Sequence, residues 1–151
     1  MKGAIGTRLR HVLELLDRDV AKVYLDLGLP EYRPRFSPIV RTLVADGPLS
    51  IRDLAKAVGV THSAASQTVA QLSKAGFVTL EPGPSDARQR IVHLTKKTRD
   101  LLPTIEAEWQ ATTAALADLD AELSAPLGQL LDEIITAVER RSFQQRIADH
   151  S

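Results

Sequence analysis

The side chains best suited to chemistry in this sequence are polar and gathered on one side of a short helix. Between a capping residue at Thr61 and a stop at Gly76, the spacing predicts a helix over 62–75. Projected at about 100° per residue, Ala65, Val69 and Leu72 fall on one side. Ser63, Gln67, Ala70 and Lys74 fall opposite, flanked by Ser66 and Gln71. That outward face carries hydroxyls, amides and an ammonium, and no carboxylate. Glutamine pairs bidentately with adenine, serine serves either base, and lysine holds guanine or phosphate. The face therefore suits the major groove of duplex DNA. An ordinary solvated helix surface is the competing reading.

A second set of cations follows. Strand-like runs at 77–81 and 90–94 flank Pro82-Gly83-Pro84-Ser85-Asp86, a stretch of turn formers, so a β-hairpin is expected directly after the helix. Arg88 lies on its turn and Arg90 at the start of its second strand. An arginine on such a turn can enter a narrow, electronegative minor groove and read its width. Asp86 is placed to brace that guanidinium. Arg90, Arg52, Lys56 and Arg41 are further candidates for phosphate contact.

The elements that must hold these groups are clearly punctuated. Ser37 is a candidate N-cap with Pro38 at the first helical position, and Gly47-Pro48 ends that helix. Ser50 caps a helix over 51–58, with Asp53 at the capping-box position and Gly59 after it. Helix, glycine turn and helix is a helix-turn-helix, and the hairpin makes it a winged one. Before it, a helix over 5–27 carries a broad apolar stripe of Leu9, Val12, Leu13, Leu16, Val20, Val23, Tyr24 and Leu27, expected to be largely buried. After it, Thr95 caps a long helix whose inner face holds Leu101, Leu102, Ile105, Trp109, Leu116 and Leu119. Pro103 lies inside this pattern and implies a kink or a late start. A last helix presents Leu127, Leu130, Leu131, Ile134, Ile135 and Val138, then frays into a polar tail from about Gln144.

Composition agrees with a mostly α fold with a small β-hairpin wing. Only six of the 151 residues are aromatic, and 44% are hydrophobic, as in an ordinary globular protein. Cysteine is absent, which excludes disulfides, thiolate metal sites and thiol-based redox sensing. The net charge is zero but unevenly spread: residues 35–95 hold seven Lys/Arg against four Asp/Glu, and residues 96–151 hold six against ten. Only the middle is basic, as expected if only the middle faces phosphate. No apolar run reaches the ~18 residues of a membrane span, and the N-terminus lacks the apolar stretch of a secretory signal, so a cytoplasmic protein is expected.

The stretch from Leu49 to Thr95 resembles the MarR (multiple antibiotic resistance regulator) family. Its helix pair runs from Leu49-Ser50-Ile51-Arg52 through Gly59-Val60-Thr61, and its second helix ends Leu72-Ser73-Lys74-Ala75-Gly76. The most specific piece is Asp86-Ala87-Arg88, followed by the strand Arg90-Ile91-Val92-His93-Leu94 and Thr95, similar to the family's wing signature. Gln67 stands where many relatives have arginine, and Thr98 where many have glycine. The resemblance implies a transcriptional regulator whose wing arginine enters the minor groove and whose first and last helices intertwine in a dimer. It also implies a small aromatic or anionic effector, for which Tyr24, Tyr32, Arg33 and Trp109 are the candidate contacts.

The organisation read from this is a DNA-binding winged helix-turn-helix over 35–95, flanked by a helical dimerisation region over 1–34 and 96–151. The flanking apolar stripes exceed what one small winged domain can cover, and each large side chain left in water forgoes roughly 1.5–3 kcal/mol. A homodimer would bury them and match a palindromic operator, with repression the expected outcome. The DNA-reading residues expected are Ser63, Ser66, Gln67, Gln71, Lys74, Arg88 and Arg90. His11, His62, His93 and His150 show no local metal-ligand spacing, so no metal or cofactor is assigned. No phosphate-binding glycine loop, nucleophile elbow or zinc motif points to an enzyme. The main alternative is a winged helix that contacts protein without reading DNA.

Overall fold

The computed structural model describes residues 4–151. The order of elements is α1 (Ile5–Asp26), a 3-10 turn (Pro34–Phe36), α2 (Ser37–Asp46), β1 (Leu49–Ser50), α3 (Ile51–Val58), α4 (His62–Lys74), β2 (Val78–Pro82), β3 (Arg90–Leu94), α5 (Lys96–Asp120), α6 (Leu127–Arg140) and α7 (Phe143–Ala148). The three strands form one antiparallel sheet in the order β1-β3-β2. None of the described helices is long and apolar enough to cross a membrane.

Two compact units divide the chain near the middle of α5, one over 1–105 and one over 106–151. The core of the first is built from Ile39, Val40 and Leu43 of α2, Leu54 and Ala55 of α3, Ala65, Val69 and Leu72 of α4, and Val78 and Val92 of the sheet. These positions recur at helical spacing in α2, α3 and α4, so each short helix presents one apolar face inward. Caps and glycines set their lengths. The Ser50 hydroxyl accepts from the Asp53 amide at 3.1 Å, and the Thr61 hydroxyl accepts from the Ala64 amide at 3.1 Å. Gly59 closes α3 at φ 79°, in the left-handed region that a side chain resists.

Several expectations are corrected. Ser37 lies inside helical backbone, at φ −58° and ψ −44°, because the 3-10 turn over Pro34–Phe36 leads directly into α2; it is not an N-cap. Leu49–Ser50 is a short strand, pairing Leu49 with Val92 and Ser50 with Ile91, so the wing is a three-stranded sheet rather than a bare hairpin. α5 does not start late: it begins at Lys96 and continues through Pro103. The tail does not fray from Gln144, since Ser142 caps α7 by accepting from the Gln145 amide at 3.1 Å. The stripe on α1 is not largely buried within the chain. Of the described α1 side chains only Tyr24 is buried, while Leu9 and Leu13 are more than half exposed. On α5, Ile105 is buried but Leu116 is exposed, and on α6 Leu130, Leu131, Ile134, Ile135 and Val138 all lie open.

The junction between α4 and β2 is held from α5. Gly76 takes φ 82°, turning the chain out of α4. The three carbonyls around that turn each accept from the first turn of α5 or the residue before it: Ala75 from the Lys97 ammonium at 2.9 Å, Gly76 from the Thr95 hydroxyl at 2.7 Å, and Phe77 from the Thr98 hydroxyl at 2.6 Å. Thr98 is fully buried, and Lys97 lies 4.6 Å from the centre of the Phe77 ring. Thr98 thus supplies a buried hydrogen bond that a glycine at this position would lack.

Candidate nucleic-acid interface

α4 packs its Ala65, Val69 and Leu72 face inward on α3, which fixes what the opposite face shows. Ser63, Gln67, Gln71 and Lys74 are exposed and Ser66 is half-buried. The Thr68 hydroxyl turns back to the Ala64 carbonyl at 3.1 Å, leaving Gln67 and Gln71 as the amides that project from the middle of the helix. The outward surface of α4 is free of carboxylate along its whole length.

The wing is ordered by its own backbone. β2 and β3 pair from Val78 with Leu94 to Pro82 with Arg90. Beyond them the Gly83 amide donates to the Gln89 carbonyl at 2.9 Å, and the Gln89 amide to the Asp86 carbonyl at 3.1 Å. The Asp86 carboxylate accepts from the backbone amide of Arg88 at 2.9 Å. It thus braces the turn and not the guanidinium, contrary to expectation, and the Arg88 side chain is left to project.

Folding brings the wing beside the start of α4. Arg88, Gln89 and Arg90 share one depression with Arg52 at the start of α3 and with His62 and Ser66 of α4. Three arginines and one carboxylate, Asp86, thus line a depression at the N-terminal end of α4, where the helix dipole also favours anions. Lys56 and Arg41 are exposed but stand outside this cluster. His62 was missed in the sequence; its position directly after the Thr61 cap was the available signal.

A second depression lies at the other end of α4. Gln71, Lys74 and Ala75 line it together with Glu31, Arg33, Arg35 and Phe36. Arg33 therefore sits beside the outward face of α4, and Arg35, not singled out in the sequence, joins it.

The aromatic residues proposed for an effector do not form an open site. Tyr24 and Tyr32 are fully buried with ring centres 4.5 Å apart, and Tyr32 also meets Phe36 and Phe77 edge-on at 5.7 and 5.4 Å. The Tyr32 hydroxyl bonds to that of Ser37 at 3.1 Å. These rings are core, tying the segment before α2 to the start of β2. Trp109 is half-buried on α5, in the other compact unit. A separate, largely apolar depression is lined by Leu43, Val44, Pro48, Leu94 and Leu102, with His93 and Arg99 at its polar positions.

Comparison with known proteins accords with this arrangement. A model of the MarR family matches residues 37–89, which span α2 to the wing turn. No curated protein matches the sequence. Among solved structures, a variant of MarR from E. coli complexed with operator DNA is 20% identical, with a TM-score of 0.64 over 89% of this chain and 92% of that one. The PcaV transcriptional regulator from Streptomyces coelicolor, in complex with its natural ligand, is 18% identical, with a TM-score of 0.64 over 94% and 99%. BpsR of Bordetella bronchiseptica, described with regulation of its DNA binding by 6-hydroxynicotinic acid, is 17% identical, with a TM-score of 0.63 over 94% and 96%. Identities this low establish a common fold, while the family model covers α2, α3, α4, β2 and the turn that follows. Residues 37–89, from α2 to the turn of the wing, are thus similar to the MarR family, and the chain has the fold of the winged-helix structures compared with it.

Proposed function

We propose that the protein binds a palindromic operator as a homodimer, acts as a repressor, and releases DNA in response to a small organic effector. The observation that carries DNA reading is the continuity of the carboxylate-free face of α4 with the arginines of the wing. In this reading Ser63, Ser66, Gln67, Gln71 and Lys74 face the major groove. Arg88 enters the adjacent minor groove, and Arg90 and Arg52 meet phosphate. Residues 35–95 form the reading unit, and residues 1–34 and 96–151 the dimerisation region. The exposed stripes on α1 and α6 support that assignment, since each of those side chains would gain roughly 1.5–3 kcal/mol from a partner helix.

Effector control is supported by the ligand-bound and ligand-regulated neighbours described above. The apolar depression with His93 and Arg99 is better shaped for an aromatic anion than the closed Tyr24–Tyr32 pair. A cytoplasmic location follows from DNA as the partner.

Selection of bound duplexes from a random-sequence pool tests the proposal and supplies the operator. Gln67→Ala should then cost on the order of 1–3 kcal/mol on the selected duplex and little on a scrambled one. Arg88→Ala should weaken both and lower the salt dependence by about one phosphate contact per protomer. Failure to enrich any sequence, with a folded dimer, would point to a protein-contact module and overturn the reading.

A further inference from the structure

We infer that Arg33, Arg35 and Lys74 form a second phosphate-binding surface, which grips the DNA strand on the far side of the groove from the wing. The inference rests on the reading of α4 as the groove helix. It assigns a DNA contact to the segment between α1 and α2, which precedes the helices and the wing placed on DNA above.

Three observations lead to it. First, Arg33 and Arg35 come from the segment before α2, yet they line one depression with Gln71 and Lys74, at the C-terminal end of the recognition face. The surface is therefore continuous with that face. Second, all three cations are exposed, and among the described residues none is engaged in an ion pair. The one carboxylate in the depression, Glu31, lies 3.9 Å from the Lys97 ammonium, which offsets its charge. Third, the sizes match. The thirteen residues of α4 at 1.5 Å each span roughly 20 Å, whereas the major groove is about 12 Å wide. A helix seated obliquely in the groove thus carries its two ends to opposite walls. The Arg52, Arg88 and Arg90 cluster meets one wall, and Arg33, Arg35 and Lys74 meet the other.

The arrangement needs cations at the C-terminal end for a further reason. The helix dipole helps hold phosphate at the N-terminus of α4 but opposes it at the C-terminus. Side-chain charge must therefore supply the whole attraction there, and three cations at one place do so.

The test uses the full chain carrying R33Q and R35Q together, the duplex recovered by selection, and a scrambled duplex. Each phosphate contact contributes a salt slope of about 0.9. Losing two should therefore lower the slope by about two per protomer, on both duplexes equally. Phosphate ethylation interference should lose its signal on one strand of each half-site, at the groove wall opposite the wing contacts. If the double variant does not fold by circular dichroism, R33Q alone is measured instead, with a decrease in slope of about one expected. An unchanged slope and unchanged interference in a folded variant would overturn the inference. Gln67→Ala keeps the two failures apart: if it still loses affinity for the selected duplex, α4 reads DNA and only the second surface is wrong.

Discussion

Replacing Thr98 by valine measures how firmly α5 holds the end of the recognition helix. The side chain is fully buried and donates to the Phe77 carbonyl at 2.6 Å. Valine keeps its shape and removes the donor. The carbonyl is not orphaned, because the Thr95 amide still donates to it at 3.1 Å. The Thr95 hydroxyl likewise keeps its bond to the Gly76 carbonyl at 2.7 Å. The loss is therefore one net hydrogen bond, about 1 kcal/mol, and not the 1–3 kcal/mol of a stranded buried acceptor. For a chain of this length that lowers Tm by about 2–4 °C. Urea unfolding should show a lower midpoint with an unchanged m-value, compared at one protein concentration because the proposed dimer would make the midpoint depend on it. Thr98→Ser should restore most of the loss. An unchanged midpoint would mean the bond is not formed in solution. A loss above about 3 kcal/mol would mean the carbonyl has no second donor, and either result refutes the reasoning.

Two other outcomes are expected. Gly76→Ala has room for its methyl group, whose nearest neighbour would be the Lys97 ammonium at 3.6 Å, so its cost is the left-handed backbone alone, about 1–2 kcal/mol by urea unfolding; a neutral result would show the turn relaxing out of φ 82°. Removing everything after Ser124 deletes the exposed stripe of α6 and should leave a monomer by light scattering, with tight operator binding lost; a persistent dimer would place the interface elsewhere.

The reading unit was legible because its boundaries are local. Ser50, Gly59, Thr61 and Gly76 each act within a few residues of themselves, so α3 and α4 could be bounded to within a residue or two. What required the folded chain was long-range. Leu49–Ser50 is a strand only because β3, some forty residues later, lies beside it. Ser37 has the chemistry of a cap, but a 3-10 turn ahead of it had already started the helix. Ser142 with Gln145 three residues on is a capping-box pattern that went unread beneath the polar composition of the tail. At the site, the outward residues of α4 followed from periodicity, whereas the meeting of Arg33 and Arg35 with Lys74 depends on how the segment before α2 folds back. Tyr24 and Tyr32 are candidate ligand contacts only through the family resemblance; the packing of Tyr24 on Tyr32, and of Tyr32 edge-on to Phe36 and Phe77, joins distant segments and buries both rings.

The hold of α5 on the α4–β2 turn bears on how this protein can be recombined with its relatives. A chimera that exchanged the DNA-reading segment at the last residue of β3 would leave Thr95, Lys97 and Thr98 with the recipient, and where the recipient carries glycine at the third position the Phe77 carbonyl would lose its buried hydroxyl donor. The transplantable block therefore runs past the sheet and ends one turn into α5, after Thr98. Grafts cut there should carry their reading helix at its native angle, and grafts cut at Leu94 should carry it loosely, whatever operator they are asked to recognise.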